Sequence, residues 1–247
     1  MTIVAGFLLN KTPCCGAIYA TRRYRSMNFH AFEYWTDGYR DGSLMPNDRG
    51  LRKCKCGSYY LSNELECIEQ VDETDVEIAN KVPKHELPLV IASARNWQMV
   101  LLARLDYWQD LNHAYREQYR SHRDAEDAAT KAHWEQNNPD NRTWWQKLRG
   151  VKPPSYLLTN DRPFTFPSFQ PTIEQRENMQ ALIELIGQEG IADKYKIELA
   201  ELHRELGKFD DAQLFLSRLS ADEQTPTSRH IKNMVAKQVS APIRFSM

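Results

Sequence analysis

The sequence predicts an α+β protein, mostly helical, in which a small N-terminal β module precedes a long helix and a C-terminal bundle of helical hairpins. Three observations carry this. All five cysteines, at positions 14, 15, 54, 56 and 67, lie among short apolar runs such as Ile3–Leu9 and Tyr59–Leu61. Runs of that length, bounded by turn-forming residues, read as short strands. From Ser93 onward, apolar residues recur every three or four positions, the period of a helix face. Between the helical stretches, residues 137–171 hold six of the twelve prolines.

In chain order these features divide the sequence into residues 1–70 (β module), 89–136 (long helix), 137–171 (strap) and 172–240 (helical region). The long helix is marked by Trp97, Leu101, Leu105, Trp108, Leu111, Tyr115 and Tyr119, with no helix breaker before Pro139. The strap carries Trp144, Trp145, Phe164, Phe166 and Phe169, expected to lie as packing anchors across a helical surface. In the helical region Thr172 and Gln175 form a capping-box pair, and Met179, Leu182, Ile183 and Ile186 supply the buried stripe up to Gly187 or Gly190. A second helix is expected over 191–206 and stops at Gly207. Asp210 with Gln213 reads as the capping pair of a third, and Pro226 and Thr227 precede a fourth.

Composition narrows the function classes. Hydrophobic content of 41% with 26% charged residues is globular, and a net charge of −1 supplies no global field toward nucleic acid or membrane. Charge is unevenly placed. Residues 1–60 carry nine cations and four acids, and residues 61–88 carry two cations and eight acids. These opposed blocks are expected to neutralise each other in the fold. No run approaches the ~20 apolar residues of a membrane span, and Thr2–Leu9 lacks the basic leader of a secretory signal. A cytoplasmic location is the expectation. In a reducing compartment an odd, clustered set of five cysteines favours metal over disulfides.

The chemistry-bearing segments are Thr12-Pro13-Cys14-Cys15-Gly16 and Lys53-Cys54-Lys55-Cys56-Gly57, each ending Cys-Gly. In a zinc knuckle, a glycine after the second thiolate lets the backbone turn so that its N–H groups face sulfur. With Trp35-Thr36-Asp37-Gly38 and Met45-Pro46 between them, the two segments resemble a family of uncharacterised bacterial proteins that pair a Cys-Pro-x-Cys zinc ribbon with tetratricopeptide-like helices. The resemblance implies a zinc-ribbon-like β module with structural zinc. It also implies that the first knuckle positions fall at Thr12 and Lys53, which do not ligate zinc. The ligand set is then Cys14, Cys15, Cys54 and Cys56, with Cys67 or His30 as possible substitutes, or else the cysteines are small buried hydrophobes in a ribbon without metal. A second resemblance, over 200–212, is to the helix–turn–helix of a tetratricopeptide repeat, with Ala200 and Ala212 at the crossing and Phe209 in the hairpin. No second copy appears at a 34-residue period.

No His-Glu-x-x-His, Gly-x-Ser-x-Gly or phosphate-loop motif occurs, and the seven histidines are scattered. The expectation is a non-catalytic protein-binding chain, an adaptor or immunity-type protein whose partner is another protein. One alternative is nucleic-acid binding through Arg22, Arg23, Arg25, Arg52, Lys53 and Lys55, cations interleaved with aromatics. The weaker alternative is a hydrolase or nuclease using His30, Asp37 and Asp41.

Overall fold

A computed structural model describes residues 2–27, 30–42, 49–157, 165–188 and 191–245. Met45, Pro46, Phe164 and Gly190, used above, lie outside the described residues. The fold is α+β, with small antiparallel sheets and more helix than strand. The chain divides into two compact units: Met1–Asn112 with Gln170–Met247, and His113–Phe169.

In the first unit, β1 (Ile3–Lys11) pairs with both β2 (Ile18–Ser26) and β7 (Glu66–Val71). A second sheet centres on β3 (Glu33–Trp35), flanked by β4 (Arg40–Asp41) and by β9 (Arg244–Phe245) from the far end of the sequence. The third centres on β5 (Leu51–Lys53), between β6 (Tyr59–Leu61) and β8 (Asn80–Lys81). Leu51 and Leu61 of this third sheet pack on Leu87 and Val90 of α1 (Leu87–Ser93) and on Met99 and Ala103 of α2 (Trp97–Leu111). The opposed charge blocks meet here as well. Lys53 Nζ lies 2.6 Å from Glu86 Oε1, and the Tyr59 hydroxyl donates to Glu86 Oε2 at 2.9 Å.

The main apolar core joins Leu101, Leu105 and Trp108 of α2 to Met179, Leu182 and Ile186 of α5 (Ile173–Ile186) and to Leu199 and Leu202 of α6 (Lys196–Glu205). A neighbouring cluster joins Ala200 to Ala212 and Leu216 of α7 (Phe209–Ser217) and to Ile231 and Val235 of α8 (Pro226–Ala236). Thr172 caps α5 as its sequence implies: its hydroxyl accepts from Gln175 N at 3.2 Å, and Gln175 Oε1 accepts from Thr172 N at 2.7 Å. The Asp210–Gln213 capping pair is not found. Lys208 N donates to His203 O and Lys208 O accepts from Ala212 N, so α7 begins a residue or two earlier and Asp210 sits in its first turn. There its charge complements the helix dipole. Pro226 is the first residue of α8 rather than its forerunner, with Thr225 as the cap.

The apolar stripe expected to form one long helix runs through two, α2 and α3 (His113–Asn137), with Asn112 between them. A buried polar network claims the Asn112 side chain. Its Nδ2 donates to Asp37 Oδ2 at 3.2 Å and to Glu205 Oε2 at 3.1 Å, and its Oδ1 accepts from Gln175 Nε2 at 3.0 Å. Glu205 also accepts from Trp108 Nε1 at 2.9 Å. One turn back on α6, Arg204 and Glu201 form a fully buried ion pair, with Nε–Oε2 at 2.7 Å and Nη2–Oε1 at 2.5 Å. Arg204 Nη1 donates to the Val239 and Ala241 carbonyls, and Nη2 donates to Thr36 Oγ1 at 3.3 Å. Thr36 N and O γ1 in turn bracket Ile243, each at 3.0 Å, which brings the tail back to β3. The Trp35-Thr36-Asp37-Gly38 segment is therefore a docking point for the helices and the tail.

Burial lifts the Glu205 carboxyl well above its ordinary value of 4.5, and the nearby Glu201 and Asp37 lift it further. The folded chain then holds a proton that the unfolded chain releases above about pH 4.5. The stability this group contributes is therefore fully present below that pH and falls as pH rises toward the folded-state value. Glu205→Gln is expected to flatten this fall, measured as Tm between about pH 5 and pH 9. An identical slope in the variant would assign the proton elsewhere.

The second unit holds α3, the short α4 (Trp144–Leu148) and the described part of the strap. Phe169 meets the Tyr115 ring edge-on at 5.0 Å, Phe166 lies 6.4 Å from Tyr119, and Tyr156 lies 5.8 Å from Trp134. These strap rings rest on α3. Trp144 and Trp145 do not serve as packing anchors, since both are more than 60% exposed.

Candidate metal centre

Two hairpin turns build the site. The β1–β2 turn closes with Thr12 N donating to Ala17 O at 2.9 Å and Gly16 N to Thr12 O at 3.2 Å. The β5–β6 turn closes with Cys54 N donating to Ser58 O at 2.8 Å and Gly57 N to Cys54 O at 2.9 Å. Gly16 and Gly57 adopt φ of +72° and +85°, a backbone conformation that strains any L side chain. This is the turn role that the paired Cys-Gly steps imply. Around them, Ala17, Tyr19, Cys54, Tyr60 and Ala79 form a small buried cluster, with the Tyr19 hydroxyl accepting from Lys55 N at 2.8 Å.

The turns bring Cys14, Cys15, Cys54 and Cys56 together, all four Sγ atoms lying within 4.8 Å of one another. Cys15 and Cys54 are 3.5 Å apart, as are Cys14 and Cys56. All are free thiols. Four thiolates at about 2.3 Å from one tetrahedral ion stand about 3.8 Å from each other. The cluster fits that spacing and can hold a metal. Among the described residues it is also the sole convergent group of three or more His, Cys, Asp or Glu side chains of this kind.

The two possible substitutes, His30 and Cys67, stand apart from this group, and Cys67 faces Asn10 in the β1–β7 register. The buried Thr12 hydroxyl packs beside the cluster, 3.9 Å from both Cys15 Sγ and Cys54 Sγ. Cys14 and Cys54 both lie within the cluster.

Ionisation within the cluster is uneven. The Ser58 hydroxyl and N–H, then the neighbouring thiols, bring Cys56 down to about 6. Burial pushes Cys14 up to about 11. Burial opposes ionisation of Cys54 too, but the Cys56 N–H and the flanking thiols hold it below the ordinary thiol value. The surroundings thus favour ionisation at Cys56 and Cys54 and oppose it at Cys14.

The other candidate sites are dispersed. Along β2, Arg23 and Arg25 are two apart and share one side of the sheet, and Arg22 faces the other. Arg52 Nη1 donates to its neighbour's carbonyl, Leu51 O, at 3.0 Å, Lys53 is held by Glu86, and Lys55 is exposed on the turn. Asp37 is buried in the polar network, and its Oδ1 accepts from Tyr39 N at 3.0 Å, the turn role expected of an Asp before glycine. His30 and Asp41 are both exposed. An open cleft of about 410 Å³ in the first unit is lined by Arg49, Trp97, Leu101 and Tyr195 among others. Its arginine is engaged by Asp106 at 2.8 Å.

No family model, curated protein or solved structure matches the chain. Among the described residues, no helix is long and apolar enough to cross a membrane.

Proposed function

We propose that the chain is a non-catalytic protein-binding protein, of adaptor or immunity type, whose N-terminal hairpins form a zinc-ribbon-like module around structural zinc. One observation carries the reading: four thiols from two hairpin turns converge within 4.8 Å. Four-sulfur coordination suits zinc, and it leaves no open position for water or substrate. Cys14, Cys15, Cys54 and Cys56 would hold the ion, which supplies cross-linking rather than Lewis-acid chemistry. The α6–α7 hairpin, with Ala200 and Ala212 packed at its crossing, supports a tetratricopeptide-like element beside that module. As a single unit it packs on α5 and α8 instead of extending a solenoid.

Metal analysis by mass spectrometry on the purified chain tests the zinc: one zinc per chain is expected, and none in Cys56→Ser. Copurification of a stoichiometric protein from the native host tests the binding role. A purified chain that turns over a substrate, or that carries no metal at all, would remove this reading. Exposed Arg22, Tyr24 and Arg25 on β2 support nucleic-acid binding as a second reading. It requires an affinity for DNA or RNA that falls steeply with salt.

A further inference from the structure

We propose that the segment around α4 is a docking surface for an anionic lipid bilayer, which it engages with two tryptophans and flanking cations. This goes beyond the binding role above and does not depend on the metal centre.

A five-residue helix has no intrinsic stability in water. This one is fastened at both ends. Thr143 and Gln146 form a reciprocal capping box at its start, with Thr143 N donating to Gln146 Oε1 at 2.8 Å and Gln146 N to Thr143 Oγ1 at 3.3 Å. At its end Gly150 N donates to Lys147 O at 3.1 Å and Val151 N to Gln146 O at 3.0 Å, the paired bonds of a Schellman motif. The Arg142 guanidinium ties the ends together by donating to the Val151 carbonyl. Such fastening would ordinarily serve to bury the apolar residues it arranges. Here Trp144, Trp145 and Leu148 remain 64%, 62% and 65% exposed, and Val151 beside them is also exposed. The two indole rings pack edge-on at 4.5 Å, so they project as one block. Trp144 and Leu148 are one helical turn apart and share a face.

The charge around this block is predominantly positive. Residues 139–152 hold Arg142, Lys147, Arg149 and Lys152 against the single acid Asp140, a net of +3. Asp140 is taken by Arg142 at 2.7 Å and approached by Lys147 at 3.6 Å. Arg149 and Lys152 have no acidic partner among the described residues. Paired tryptophans seat at the headgroup level of a bilayer, and neighbouring cations add attraction to anionic lipid. A projecting block needs no matching pocket to enter that interface, whereas a protein partner must supply one. The charge complement selects the anionic surface.

Co-sedimentation of the full chain with vesicles tests this, comparing phosphatidylcholine alone with phosphatidylcholine containing phosphatidylserine. Binding is expected to the mixed vesicles only, and to weaken in high salt. Trp144→Ser with Trp145→Ser is expected to abolish it. Arg149→Gln with Lys152→Gln is expected to weaken it about 30-fold, given about 1 kcal/mol per cation near an anionic surface. Because all four side chains are exposed, circular dichroism and metal content should be unchanged in both variants. No sedimentation, equal sedimentation with neutral vesicles, or binding indifferent to both variants would overturn the proposal. So would full displacement by an acidic peptide from vesicles that do not otherwise discriminate charge, which would point to an acidic protein partner. Zinc content is read separately, so failure here leaves the ribbon reading intact.

Discussion

Arg204→Met is expected to destabilise the first unit by about 3–5 kcal/mol, the usual cost of leaving one member of a buried ion pair without its partner. Arg204 and Glu201 are both wholly buried, and the pair is bidentate. Removing the guanidinium leaves the Glu201 carboxylate in an apolar surround with two further carboxyls, Glu205 and Asp37, in the same network. It also releases the carbonyls of Val239 and Ala241 and the Thr36 hydroxyl, so the tail is held to β3 only by the Thr36–Ile243 bonds and the β3–β9 pairing. For a chain of this size the loss corresponds to a Tm lower by roughly 10 °C. The double variant Arg204→Met, Glu201→Met separates the two contributions. It removes the stranded charge and should recover part of the loss, while the tail contacts stay broken. Hydrogen exchange in residues 239–242 is then expected to remain faster than in the wild type even where Tm recovers. A single variant as stable as the wild type would mean that the ion pair and its tail contacts contribute nothing net.

This network marks the boundary of what the sequence made legible. Helical period located the buried faces of α2 and α5, because Leu101, Leu105, Met179 and Leu182 each occupy the inward stripe of a helix with one wet side. The same rule fails on α6, where seven consecutive residues from Leu199 to Glu205 are buried. Glu201 and Arg204, three apart, look like a surface pair in sequence, and only the return of the tail and the Thr36–Asp37 turn encloses them. That enclosure joins residues more than 160 positions apart, which no local periodicity encodes. Trp144 and Trp145 failed in the opposite sense: aromatic residues in a proline-rich strap suggest anchors, but their helix is held by its own caps and needs no packing. The cysteine cluster was legible because turn chemistry is local. Each Cys-Gly step demands a left-handed glycine after a thiol, and two such turns in one small β module have few places to be except together. What the spacing did not decide was whether irregular pairs, adjacent in one turn and one apart in the other, close on a common centre. The structure brings Cys14 and Cys54 into it, with Thr12 packed behind them.

If that centre holds zinc, stripping it is expected to loosen the β1–β2 and β5–β6 turns while the helical core persists. Only a small cluster, Ala17, Tyr19, Cys54, Tyr60 and Ala79, packs beneath the turns, whereas Leu101, Leu105, Trp108, Met179 and Leu182 sustain the helices without the metal. A ligand present at a thousand times its dissociation constant stabilises the folded state by about 4 kcal/mol, so a strong chelator should lower Tm by roughly 10 °C. Protection from hydrogen exchange should fall first across 11–20 and 53–61. Cys54→Ser should reproduce both effects, since it removes the one fully buried ligand, while Cys67→Ser on the exposed face of β7 should reproduce neither. Acid should act as the chelator does, because protons compete with the metal for thiolates. A chain whose Tm and exchange ignore both chelator and Cys54→Ser would instead be held by its thiols as ordinary packing, and the convergence of the two turns would have no metal to explain it.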